Sequence, residues 1–92
     1  MSDPGKLRIL RLTLKREYFA RIVGGKKKKE YRKRTDYWKT RLEGREYDIV
    51  RFRNGYTADV PEMDVELKGV VKEGREYVIK LGAVLRSKNW PP

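Results

Sequence analysis

Gly24-Gly25-Lys26-Lys27-Lys28-Lys29-Glu30-Tyr31-Arg32 carries the densest charge in the sequence, and an acid sits inside it. The two glycines are a natural stop for a helix, because glycine takes up left-handed backbone at little steric cost. Beyond them, Lys27 to Arg34 alternates like a strand. Glu30, Arg32 and Arg34 fall on one face, and Lys29, Tyr31 and Lys33 on the other. Neither face has an aliphatic residue. Such a strand persists at a sheet edge, where lysines discourage edge-to-edge pairing, or where one face meets a polar cavity or a ligand. A surface that only gripped a polyanion would need no acid, so Glu30 marks a shaped site.

Upstream, Lys6 to Leu14 also alternates, with Leu10, Leu12 and Leu14 on one face and Arg11 and Thr13 on the other. Period two reads as a half-buried strand. From Lys15 the period changes. Tyr18, Phe19, Ile22 and Val23 make one apolar stripe on a short helix, with Lys15, Arg16 and Arg21 on its polar side. Gly24-Gly25 closes that helix.

Downstream, Thr35-Asp36 caps a short helix carrying Trp38 and Leu42 at i, i+4 spacing. Tyr47 to Arg53 reads as a third strand. Asn54-Gly55 predicts a tight hairpin, and Pro61 limits Thr57 to Val60 to an edge segment at most. Met63, Val65 and Leu67 alternate in a fourth strand, and Gly69 predicts a bulge before Val70-Val71. Tyr77, Ile79 and Leu81 share a face in a fifth strand that Gly82 bends. Trp90 is read as folding back. Glu43-Gly44-Arg45-Glu46-Tyr47 recurs as Glu73-Gly74-Arg75-Glu76-Tyr77, similar turn chemistry used twice. Strands outnumber helices and long helical crossovers are missing. The expected fold is α+β: a small, mostly antiparallel β-barrel of five to six strands with one or two short flanking helices. An open α+β sheet is the alternative.

The 92 residues make one domain, expected over residues 6–90, with flexible tails at 1–5 and 91–92. There is no cysteine and no histidine, so disulfides, the usual zinc ligands, and Ser-His-Asp or Cys-His nucleophile pairs are excluded. No metal and no cofactor is called for. No apolar run approaches the ~20 residues that span a bilayer, and the first residues do not form a signal peptide. The expectation is a cytoplasmic, monomeric protein without a membrane partner. The net charge is +11 and lopsided. Residues 1–46 hold 16 Lys/Arg against 6 Asp/Glu, a net of +10, whereas residues 47–92 hold 8 against 7, a net of +1. A basic half beside a neutral half points to a polyanion-facing surface.

Gly25, Lys27, Glu30 and Arg32 match the pattern Gly-x-Lys-x-x-Glu-x-Arg of the ASCH (ASC-1 homology) family. Leu12-Thr13-Leu14-Lys15, Tyr18-Phe19 and Ile22 upstream resemble the strand and helix before that motif. Trp38, Asp48 to Phe52 and Tyr77 to Gly82 resemble the family downstream. The resemblance implies a PUA-like barrel, a cavity at its mouth beside the motif, and RNA binding. Some family members are enzymes, one branch deacylating acetylated cytidine and another described as a metal-dependent ribonuclease.

The residues themselves agree with part of this. Glu30 and Arg32 share a face, and each lowers the cost of burying the other. Lys27 has the opposite parity and joins them only if the chain bends after Gly25. A carboxylate, a guanidinium and an ammonium together suit a base edge and a phosphate; a salt bridge tying a strand to the barrel wall is the plainer use. Lys26, Lys28 and Lys29 suit backbone contacts, Arg34 is a further candidate RNA-binding residue, and Tyr31 and Tyr37 suit stacking on single-stranded RNA. Trp38 reads first as core. The expected partner is RNA or another nucleic acid, or a nucleotide-like small molecule. The alternative is a small hydrolase on RNA or acylated cytidine, with Lys27 and Glu30 as catalytic candidates. Asp59, Glu62, Asp64 and Glu66 read as a solvated strand face.

Overall fold

The computed structural model describes residues 7–91. The expected tails at 1–5 and 91–92 lie outside the described residues except for Pro91. The chain runs β1 (Ile9–Thr13), α1 (Arg16–Val23), β2 (Lys29–Lys33), α2 (Asp36–Leu42), β3 (Ile49–Arg53), β4 (Glu62–Glu73) and β5 (Glu76–Lys88). The five strands form one sheet in the order β1-β3-β4-β5-β2. Three of its four pairings are antiparallel, and β1 runs parallel to β3. The sheet curls into a half-barrel flanked by two short helices. β1 and β2 are its two edges and do not pair with each other.

Alternation explains the core. Leu10 and Leu12 of β1, Val50 and Phe52 of β3, Met63 and Val65 of β4, and Tyr77, Ile79 and Leu81 of β5 are all buried. Phe19 and Ile22 of α1 and Leu42 of α2 cover them. Trp90 does fold back, its ring centroid 5.2 Å from that of Phe19.

The β3–β4 connection differs from expectation. It spans residues 54–61, where Asn54-Gly55 predicted a two-residue hairpin. Gly55 has φ +131°, outside the left-handed values that a type I′ turn needs. Asn54 closes the loop instead, donating its backbone N–H to the Pro61 carbonyl at 3.0 Å. Its side-chain amide reaches the Leu14 carbonyl at 2.8 Å. The true two-residue turn is Gly74-Arg75, since Glu73 pairs with Glu76. The bulge expected at Gly69 is present as a register shift between Leu67 and Gly69, with further shifts around Val65.

Candidate functional site at the open seam

The site begins at the end of α1. Gly25 has φ +76°, and the backbone N–H groups of Gly25 and Lys26 donate to the carbonyls of Ile22 (3.0 Å) and Arg21 (2.9 Å). This is a Schellman closure, which needs a left-handed residue at that point. The Lys27 N–H adds a third bond, also to the Arg21 carbonyl. The chain is thus folded back on the helix end, and β2 starts only at Lys29. Lys27 is therefore released from strand parity, as the bend expected after Gly25 requires.

Glu30 is 6 % exposed on the inner face of β2. One carboxylate oxygen lies 3.2 Å from Lys27 Nζ and the other 2.6 Å from Arg32 Nη1. A buried carboxylate without such partners would be strongly destabilising. Lys27 Nζ also sits 5.3 Å from the Tyr18 ring centroid and 5.4 Å from that of Tyr31, within cation–π range of both.

Arg32 has more to do than balance Glu30. It donates to its neighbour's carbonyl, Tyr31 O, at 2.8 Å, and to Thr13 O at 3.3 Å. Thr13 ends β1, so a β2 side chain bridges the two unpaired edges of the sheet. Its guanidinium carbon lies 5.3 Å from the Trp38 ring centroid. Trp38 packs against the core as expected, and it also backs the arginine.

A cavity of about 350 Å³ opens at this seam, lined by Thr13, Leu14, Lys15, Tyr18, Lys27, Glu30, Tyr31 and Arg32. Its volume lies within the range of small-ligand sites. Each Glu30 oxygen retains a lone pair beyond its cation, and Lys27 has two further N–H groups. The wall can thus both accept and donate hydrogen bonds. Two aromatic rings flank the ammonium.

No family model matches the chain, nor does any curated protein or solved structure. Lys27, Glu30, Tyr31 and Arg32 come together, with Gly25 as the bend that allows it. Lys26, Lys28 and Lys29 are exposed around them. Arg34 and Tyr37 do not reach the cavity. Arg34 Nη1 holds the Gly74 carbonyl at 3.0 Å, in a larger groove of about 730 Å³ lined by Lys33, Arg34, Thr35, Gly74, Arg75 and Glu76. That groove has no buried ionisable side chain, so the smaller cavity is the better candidate for selective recognition. Tyr37 lies on α2 beneath the Arg41 guanidinium, 3.5 Å from ring centroid to Cζ.

Sequence reasoning missed Thr13 and Lys15 as lining residues and placed Tyr18 in the core stripe. Tyr18 is 38 % exposed and faces the cavity. Its hydroxyl, at the margin of an otherwise wholly apolar stripe, was the only available signal.

The carboxylates of β4 also differ from expectation. Asp64 is buried at 6 % exposure, so the strand face is not simply solvated. It accepts from Arg51 at 2.8 and 3.0 Å and from Arg86 at 2.7 Å. Glu62 takes Arg86 at 2.5 Å and Arg53 at 3.3 Å. Burial alone would raise the Asp64 carboxyl, but hydrogen bonds from Arg51 and Arg86 outweigh it and hold the group below its ordinary value. Cross-strand register causes this, because Arg51, Asp64 and Arg86 are directly opposite one another on β3, β4 and β5. Among the described residues, no three of His, Cys, Asp and Glu gather as a metal site, and no helix is long and apolar enough to cross a membrane.

Proposed function

We propose that this chain binds nucleic acid, RNA in particular, and that its curled sheet is a PUA-like barrel of the ASCH kind. The carrying observation is the seam cavity, where Lys27 is held by Glu30 between the rings of Tyr18 and Tyr31. A fixed cation between two aromatic faces suits a nucleotide, whose phosphate meets the charge while its base stacks. The buried Glu30 adds an acceptor for an exocyclic amine, the selective element that a plain lysine patch lacks. Lys26, Lys28 and Lys29 surround it on the half of the chain that carries nearly all the net charge. The ASCH-type pattern of Gly25, Lys27, Glu30 and Arg32 supports the same reading.

The test is fluorescence anisotropy with single-stranded RNA at ~50 mM salt. Binding is expected with a Kd of about 1–100 μM and a log–log salt slope near −2, as for about three phosphates on a single strand. Lys27→Ala weakens it. A flat titration through that concentration range rejects the reading.

A further inference from the structure

We propose that a single-stranded nucleic acid lies along the outer face of β2 and β5, with Tyr31 as its base platform and Lys29, Lys80 and Arg75 as its phosphate contacts. This rests on the nucleic-acid reading above and gives the bound strand its path.

The register assembles the surface. On the outer face, Lys29 pairs with Lys80, Tyr31 with Val78, and Lys33 with Glu76. On the far side, Gly69 lies opposite Lys80, and Val71 opposite Val78. The middle row is therefore apolar: Tyr31 and Val71 are 43 % and 38 % exposed, on either side of a Val78 that is 1 % exposed. Val78 is the cross-strand partner of Tyr31 and lies outside the main core cluster.

The cations of this face differ from those of the β3–β4–β5 face. There, Arg51, Arg53 and Arg86 each hold a carboxylate. Among the described residues, Lys29, Lys33, Lys80 and Arg75 hold none within 4.0 Å. Lys29 and Lys80 are instead directly opposite each other, an unfavourable placement for like charges that a phosphate between them relieves. Gly69, next in that row, leaves the space beside Lys80 open, since a Cβ there would meet nothing within 4 Å.

The acids set the direction. Glu76 and its cross-strand partner Glu73 repel phosphate from the β4 side, which keeps the strand over β2. From there it reaches the groove at Arg34 and Arg75, whose backbones are joined at 3.0 Å. Lys29 to Arg34 spans ~17 Å at ~3.4 Å per residue. That is room for no more than about six phosphates at a stacked spacing of ~3.4 Å. Only unpaired bases can lie on the Tyr31 ring, so the occupant is single-stranded.

The experiment uses the full chain and a labelled 12-mer oligouridylate, titrated across a salt series. Lys80→Ala with Arg75→Ala is expected to flatten the log–log slope by about 1.4, as for two lost phosphate contacts. Tyr31→Ala is expected to weaken binding about tenfold, with Tyr31→Trp restoring it. Gly69→Glu, which tests the same path from open space, is expected to weaken binding too. If the wild-type chain binds while the double variant and Gly69→Glu keep its affinity and slope, the path is wrong and the nucleic-acid reading stands. Absence of wild-type binding removes both. A duplex of the same length binding equally well, or polyglutamate competing at equal charge, would show a face that counts only charge and would overturn the proposal.

Discussion

Removing the Glu30 carboxylate leaves Lys27 and Arg32 side by side with no counter-charge, both less than a quarter exposed. Glu30→Ala should therefore destabilise the fold by about 2–3 kcal/mol, a fall in Tm of roughly 10 °C or more for a domain of this size. Glu30→Gln, which still accepts from Arg32, should lose less; urea unfolding of the two variants checks the order. Asp64 makes a prediction in pH. Its folded-state value is lowered, as are those of Glu62, Asp48 and Glu43, each held first by a hydrogen bond from Arg86, Arg8 and Tyr77 respectively. A lowered carboxylate contributes stability that is complete above its unfolded value, about 4, and is lost as pH falls through the folded value. The urea midpoint should thus drop between pH 5 and pH 2, and Asp64→Asn should make that drop shallower. Tyr77 works in the opposite direction. Burial, and then the bond it donates to Glu43, raise its hydroxyl, so its contribution is present below about pH 10 and lost above.

The ends of α1 and β2 are where element and site meet. An eight-residue helix is too short to persist alone; it is held by Phe19 and Ile22 against the sheet and by its closure at Gly25. Gly25→Ala adds a Cβ that would meet nothing within 4 Å. Its cost is therefore purely backbone, about 1 kcal/mol at φ +76°. Thermal melting should show that modest loss. RNA affinity should fall further than melting implies, because the same turn aims Lys27 at Glu30. Equal affinity in Gly25→Ala and wild type would separate the turn from the site. The repeated Glu-Gly-Arg-Glu-Tyr segments also meet at this scale, since Tyr77 of the second donates to Glu43 of the first. That contact ties the end of α2 to the start of β5.

In the whole molecule, the sheet is an unclosed curl, and Arg32 is its hydrogen-bonded link across the seam to Thr13. Arg32→Lys keeps the charge, but a single ammonium cannot hold Glu30, Tyr31 O and Thr13 O in one fixed fork. Amide exchange should therefore quicken in β1 and β2 more than in β4 and β5. The long β4–β5 hairpin, paired over most of its length, should remain the slowest-exchanging part. Uniform acceleration across all five strands would show that the seam carries no separate stability.

Local patterning determined much of this protein. Leu10-Leu12-Leu14, the stripe ending at Gly24-Gly25, and the parity of Glu30 and Arg32 follow from bond geometry within a few residues. The element types, the core faces and the shared face of Glu30 and Arg32 were therefore legible, whereas Lys27, of opposite parity, joins them only through the bend at Gly25. Strand order was not, because it depends on residues some 40 positions apart. The parallel Ile9–Ile49 pairing and the open edge between β1 and β2 arise only when the sheet assembles. The Asn54-Gly55 signal failed for a related reason: Asn54 is taken by Leu14 of a distant segment. Asp64 looked solvated because its two arginines come from neighbouring strands. Tyr18 became a cavity wall because β2 folds back beside α1. Sequence set which side chains are charged and which way each strand faces them; only tertiary assembly decided which charges meet and which stay free to meet a ligand.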